Sequence, residues 1–137
     1  MSDIVVRWFH RIVAQRMEIH LPFSTRQKAL RAGDGVADSV WFIQAVIKHH
    51  RDNLRPLNVA FVDVKNAFDS VSHQSILVAA ACLGVPPPFL GYIRELYSNA
   101  VTTVRIGSDV SGPIRHGRGF RQGDPLSVHL FNAVIDM

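Results

Sequence analysis

The sequence predicts an α+β fold, with helices backing an antiparallel sheet. Three observations carry this. Apolar residues recur at three-to-four spacing in several segments. Two runs, 58–64 and 101–107, are rich in β-branched residues and read as strands. The order (two helices, a strand, two helices, a hairpin, a helix) lacks the regular strand–helix alternation of a parallel sheet. With 137 residues and 47% hydrophobic content, the chain is one globular domain or a piece of one, not a disordered segment.

The first helix is expected over residues 3–18, with Val5, Val6, Phe9, Ile12 and Val13 on one face and arginines opposite. Residues 19–33 form a connector that contains Pro22 and ends at Gly33. A second helix follows from about Val36 to His50, with Asp34 as its N-cap and Val36, Val40, Ile43 and Ile47 facing inward. Residues 51–57 read as a polar loop and 58–64 as a strand. Ser72 is placed to cap a helix over 73–83, stopped by Gly84. The run Pro86 to Pro88 is a rigid break. The next helix, 88–99, carries the stripe Phe89, Ile93, Leu96 and Tyr97. Val101 to Gly107 and Pro113 to Phe120 make an antiparallel pair around the turn-like Ser108 to Gly112. Asp124 followed by Pro125 marks the start of a last helix. That helix reaches Met137 without a stop signal, so the chain is expected to continue, and an unfinished domain would expose sheet edge and a helix face. Trp8, Trp41, Phe42 and Phe131 read as core.

Net charge is +4, and it is concentrated. In residues 1–31, Arg7, Arg11, Arg16, Arg26, Lys28 and Arg31 face only Asp3 and Glu18; in 101–123, Arg105, Arg115, Arg118 and Arg121 face only Asp109. Two basic segments around a near-neutral middle suggest a polyanionic partner. No apolar run reaches the roughly 18 residues of a membrane span, and the amphipathic start does not read as a signal peptide. Cys82 is the sole cysteine, which precludes an internal disulfide and suits a reducing compartment. The seven histidines show no metal-ligand spacing with Cys82, so no zinc site is expected.

The string FVDVKNAFD, Phe61 to Asp69, holds the chemistry. Asp63 interrupts the apolar run Val59, Ala60, Phe61, Val62 and Val64. A carboxylate inside a strand is costly unless a cation meets it. A strand that brings a carboxylate to a sheet surface, with a bulky aromatic five residues later, suits a metal site beside a shaped pocket. Asp63 can also be read as a satisfied strand-end carboxylate, and Phe68 as core.

FVDVKNAFDSVSH (Phe61 to His73) resembles the first catalytic motif of reverse transcriptases, and RGFRQGDPLSVHLFN (Arg118 to Asn132) is similar to the motif that follows it in the palm. ALRAGDGVADS (Ala29 to Ser39) resembles the fingers motif upstream. Long motifs in the right order are far more specific than a lone short pattern. The closest flavour is that of non-LTR retrotransposons, particularly those inserting into ribosomal RNA genes; mobile group II intron enzymes share the RQGDPLS-type string. The resemblance implies a fragment of the fingers, residues 1–57, joined to a portion of the palm, residues 58–137, ending before the Ala-Asp-Asp hairpin that supplies two further carboxylates in the family.

The same resemblance implies RNA-directed DNA polymerase activity in a longer parent protein, with two Mg²⁺ ions, the fragment alone being inactive. Asp63 matches the metal carboxylate, with the Val64 carbonyl as a second oxygen donor. Phe68 matches the position under the incoming sugar, where a rigid ring excludes a 2′-hydroxyl. Gln122 and Gly123 fall in the pocket around the nascent pair, and Arg121 is placed for template or phosphate contact. Lys65, Arg105, Arg115 and Arg118 are candidates for a template channel that reads backbone, although each singly also reads as a solvated surface charge. Asp124 reads as a helix cap and Asp69 as a local hydrogen-bonding residue. Val128 stands where the family has proline, which loosens the first helical turn without removing a reactive group. The implied partners are an RNA template, a DNA primer or target and deoxynucleoside triphosphates, with no membrane. The parent protein would be nuclear and would carry an endonuclease elsewhere. The alternative is a non-catalytic RNA- or DNA-binding domain derived from such an enzyme.

Overall fold

The computed structural model describes residues 4–28 and 33–137. Asp3, Arg31 and the first residues of the Ala29 to Ser39 motif lie outside the described residues. Among the described residues, six helices and two small antiparallel ladders follow in the order α1 (Ile4–His20), α2 (Gly35–Asp52), α3 (Ala67–Ser70), α4 (His73–Cys82), α5 (Pro87–Ser98), β1 (Val101–Thr102), β2 (Arg105–Ile106), β3 (Asp109–Val110), β4 (Ile114–Arg115) and α6 (Pro125–Ile135). The α+β expectation is met, with far more helix than strand. The chain divides into two compact units: residues up to Phe23 together with Asn66–Met137, and Ser24–Lys65.

The larger unit owns the core. Ser72 caps α4 by accepting from the Ser75 amide, and Asp124 caps α6 by accepting from the Leu126 amide. Pro87 opens α5 at its first helical positions, where a missing N–H is harmless. Leu126, Leu130 and Ala133 recur at near-helical spacing along the inner face of α6, and Ile76, Ala79 and Ala80 do so on α4. Helix α6 packs against α1 and α4, and α4 packs against α5. Ile76, Ile93, Leu126 and Leu130 are fully buried at the centre. Of the α5 stripe, Ile93 and Tyr97 are buried, and Phe89 and Leu96 pack against the core.

Helix α1 corrects one expectation. Its buried positions are His10, Ala14 and Met17, not the Val5–Phe9–Ile12 face, which is exposed. Periodicity located a helix; the face that packs on α6 is the one that brings His10 to a buried carboxylate. Trp8 is 70% exposed and is not core, whereas Phe131 packs against the core as expected.

The expected hairpin pair is broken into two short ladders. Val101 and Thr102 pair with Arg115 and Ile114, and Arg105 and Ile106 pair with Val110 and Asp109. Gly107 at φ +61 makes the tight tip. Every strand residue is exposed.

The smaller unit is built around α2. Asp34 caps it as expected, accepting from the Ala37 amide at 3.0 Å. At its C-terminus Asn53 donates its side-chain amide to the His49 carbonyl at 2.7 Å. Gly35 is required: a Cβ there would stand 2.0 Å from the Lys28 carbonyl oxygen. Two expectations fail in this unit. Helix α2 has no buried residue, so Val36, Val40 and Ile47 face solvent, as do Trp41 and Phe42. Residues 58–64 form no strand. Phe61 and Val62 are more than four-fifths exposed. A largely apolar run, here broken only by Asp63, reads as a strand covered on both faces, and such a strand exists only with ladder partners for its backbone groups. Among the described residues none pairs with it.

Candidate nucleotide cleft

The larger unit contains a cleft of about 490 Å³ lined by Phe68, Arg121 to Pro125, Ser127 and Val128. Its walls come from two stretches about fifty residues apart in sequence, and backbone atoms join them. The Gly119 amide donates to the Val71 carbonyl at 2.8 Å, and the Phe120 amide donates to the Phe68 carbonyl at 3.0 Å. Ser72 and Arg118 form an antiparallel bridge beside them. The approach is so close that a Cβ on Gly119, which sits at φ +88, would lie 3.3 Å from the Asp69 Cα. On the other side, Asn66 adopts the left-handed conformation (φ 50, ψ 44) before α3, one of the few side chains that does so at low cost. Its carbonyl accepts from the amides of Asp69 and Ser70.

Phe68 is held rigidly. Its ring stacks on Phe131 with centroids 4.2 Å apart and planes 14° from parallel, and meets Phe120 edge-on at 5.8 Å. It is half-buried and packs on the core while lining the cleft, so the core and site readings of this residue coexist.

The opposite wall is a closed turn. The Arg121 carbonyl accepts from the Asp124 amide at 3.2 Å and from the Ser127 hydroxyl at 2.9 Å. Gly123 takes φ +78 within that turn. Gln122 is exposed and donates to Asp69 Oδ1 at 3.5 Å, a long contact across the cleft mouth. Val128 forms part of the lining.

Behind this wall lies a polar network that the sequence reading missed. Asp124 is buried and accepts from His10 Nδ1 at 2.7–2.8 Å, and His10, wholly buried, also hydrogen-bonds the Tyr92 hydroxyl through Nε2. A carboxylate can only accept, so Nδ1 carries the proton. Burial, reinforced by the Asp124 carboxylate and opposed by Arg121, raises the Tyr92 phenol above its ordinary range. Burial likewise pushes Tyr97 up to about 12, against a side-chain hydrogen bond with Ser127 that lowers it. No local spacing signals a pair 114 residues apart. The one hint was a histidine on a helix face otherwise read as arginine-rich.

The remaining candidates lie elsewhere. Arg105 and Arg115 are exposed on β2 and β4, and Arg118 is exposed just before Gly119. Asp63, Val64 and Lys65 belong to the smaller unit and are all exposed. Asp63 and the Val64 carbonyl are oxygen donors of the type Mg²⁺ prefers, but among the described residues no group of three or more His, Cys, Asp or Glu side chains could hold a metal. The donor chemistry fits; the donor number falls short of a complete site. No described helix is long and apolar enough to cross a membrane.

Comparison with known proteins settles the family. Residues 1–137 match the reverse transcriptase (RNA-dependent DNA polymerase) family, and the chain belongs to it. It is 42% identical over 98% of its length to a retrovirus-related Pol polyprotein from the type-1 retrotransposable element R2 of Nasonia vitripennis. Its identity is 34% to the Pol polyprotein of the type-2 element R2DM of Drosophila melanogaster, and 38% to that of an R2 element of Popillia japonica, each again over 98% of the chain. The chain spans only 13%, 13% and 19% of these relatives respectively.

Proposed function

We propose that this chain is the fingers-and-palm portion of an RNA-directed DNA polymerase of an R2-like non-LTR retrotransposon. Residues 1–57 fall on the fingers side and 58–137 in the palm. Membership of the reverse transcriptase family supports this, as does the similarity to R2 Pol polyproteins. The single observation that carries the site is the cleft. Phe68, Gln122 and Gly123, two motifs apart in sequence, line one cavity together with Arg121. That cavity is the binding place for an incoming deoxynucleoside triphosphate. Phe68 acts as the sugar gate: a ring braced by Phe131 cannot yield to a 2′-hydroxyl. Gln122 meets the ribose or base edge, the open Gly123 backbone allows close approach, and Arg121 faces phosphate.

Asp63 and the Val64 carbonyl would hold part of the Mg²⁺ coordination sphere, with the other carboxylates supplied from the rest of the parent protein. When bound, such a metal pair activates a 3′-hydroxyl and steadies departing pyrophosphate. Lys65, Arg105, Arg115 and Arg118 track the RNA template and DNA primer by their backbones, which predicts binding that weakens as salt rises. The parent protein acts in the nucleus and carries an endonuclease outside this chain.

Primer extension by the parent polyprotein tests the reading. Asp63→Ala should abolish extension, and Phe68→Ala should let ribonucleotides enter while deoxynucleotide incorporation persists. Full extension by the Asp63 variant would overturn the assignment. The solvent-facing arginines of β2 and β4 also suit a second reading, a non-catalytic RNA- or DNA-binding domain. Salt-sensitive RNA binding by a parent protein that never extends a primer would favour it.

A further inference from the structure

We propose that His10, on α1, is a positioning residue for the nucleotide cleft, acting through the Asp124 carboxylate. This inference rests on the reading of that cleft as the triphosphate site. Asp124 both lines the cleft and lies almost fully buried behind it. Its Oδ1 accepts from the Leu126 amide at 3.0 Å and His10 Nδ1 lies 2.7–2.8 Å from both of its oxygens, so the group is held by α6 and α1 together. Its amide closes the Arg121–Asp124 turn. The turn that presents Gln122 and Gly123 is thus fixed from behind by a histidine that lines no part of the cleft.

Two consequences follow when His10 is lost. The Asp124 carboxylate keeps its helix-cap bond but lacks a partner for its remaining capacity, and a buried carboxylate with an unmet acceptor seeks water. The nearest open space is the cleft, so the turn shifts toward it. The freed carboxylate then presents negative charge to a site meant for a polyphosphate, which it repels. Both effects weaken nucleotide binding more than they slow the chemical step.

The test is steady-state primer extension by the parent polyprotein with varied deoxynucleoside triphosphate. His10→Ala should raise KM for the nucleotide about tenfold, with kcat changed by less than about threefold. His10→Asn, whose amide can still donate from near the Nδ1 position, should restore most of the loss. In an Asp124→Asn background the His10→Ala effect on KM should largely vanish, because the two residues act as one unit. An unchanged KM in His10→Ala, or equal loss of kcat and KM effects in all three variants, overturns the proposal. Should His10→Ala fail to fold, the His10→Asn and Asp124→Asn comparison still decides it. A Phe68→Ala variant serves as reference. If it alters sugar selection while His10→Ala leaves KM untouched, the positioning role fails and the cleft stands; if neither variant affects nucleotide use, the cleft reading itself fails.

Discussion

The two units of this chain treat the same kind of side chain differently. In the larger unit, apolar residues at helical spacing on α4, α5 and α6 meet one another, and Ile76, Ile93, Leu126 and Leu130 are fully buried. In the smaller unit, α2 has an equally regular apolar pattern and buries nothing. Trp41 is 75% exposed there, and Phe61 and Val62 more so. Periodicity states which face of a segment needs cover; it does not state that the cover lies in the same unit. Aromatic and β-branched side chains left uncovered in this way are exposed apolar surface rather than core.

The sharpest way to break that contrast is to truncate side chains on each side of it. Ile76→Ala or Leu130→Ala should cost about 2–5 kcal/mol, read as lost hydrogen-exchange protection across α4 and α6. Trp41→Ser should cost less than about 0.5 kcal/mol by the same measurement on α2 amides. Equal losses at both places would dissolve the distinction.

The next effect is alkaline. Burial holds the Tyr97 phenol at about 12, above its ordinary 10.0. The unfolded phenol therefore ionises first. The stability this side chain contributes is complete below pH 10 and is lost as pH climbs from about 10 to about 12, some 2–3 kcal/mol in all. Tyr97→Phe should flatten that limb of the stability–pH curve, measured over the larger unit.

Smaller again is Gly119→Ala. A left-handed backbone and a Cβ 3.3 Å from Asp69 Cα should cost about 1–3 kcal/mol, and, if the proposed role of Phe68 holds, its displacement should relax sugar discrimination. Of similar or lesser size is Asp34→Ala, which removes one capping bond and should loosen only the first turn of α2, by about 1 kcal/mol.

Much of this was legible in the residues. The caps Asp34, Ser72 and Asp124 were, because each is a local side chain bonding a local amide. The helices were, because their period is intrinsic. The motif strings brought Phe68, Gln122 and Gly123 together before any coordinates did. What failed needs a distant partner. Strand 58–64 lacked neighbours to pair with, and α1 turned a different face inward because α6 offered a carboxylate to His10. The His10–Asp124–Tyr92 network was invisible for the same reason: three residues on three helices share no spacing.

The clasp between the two motif segments is made of main-chain atoms, the amides of Gly119 and Phe120 meeting the carbonyls of Val71 and Phe68. Such a joint is blind to side-chain identity. Most neighbouring side chains can change without unfastening it; the sensitive spot is Gly119, where an added Cβ would crowd the Asp69 backbone.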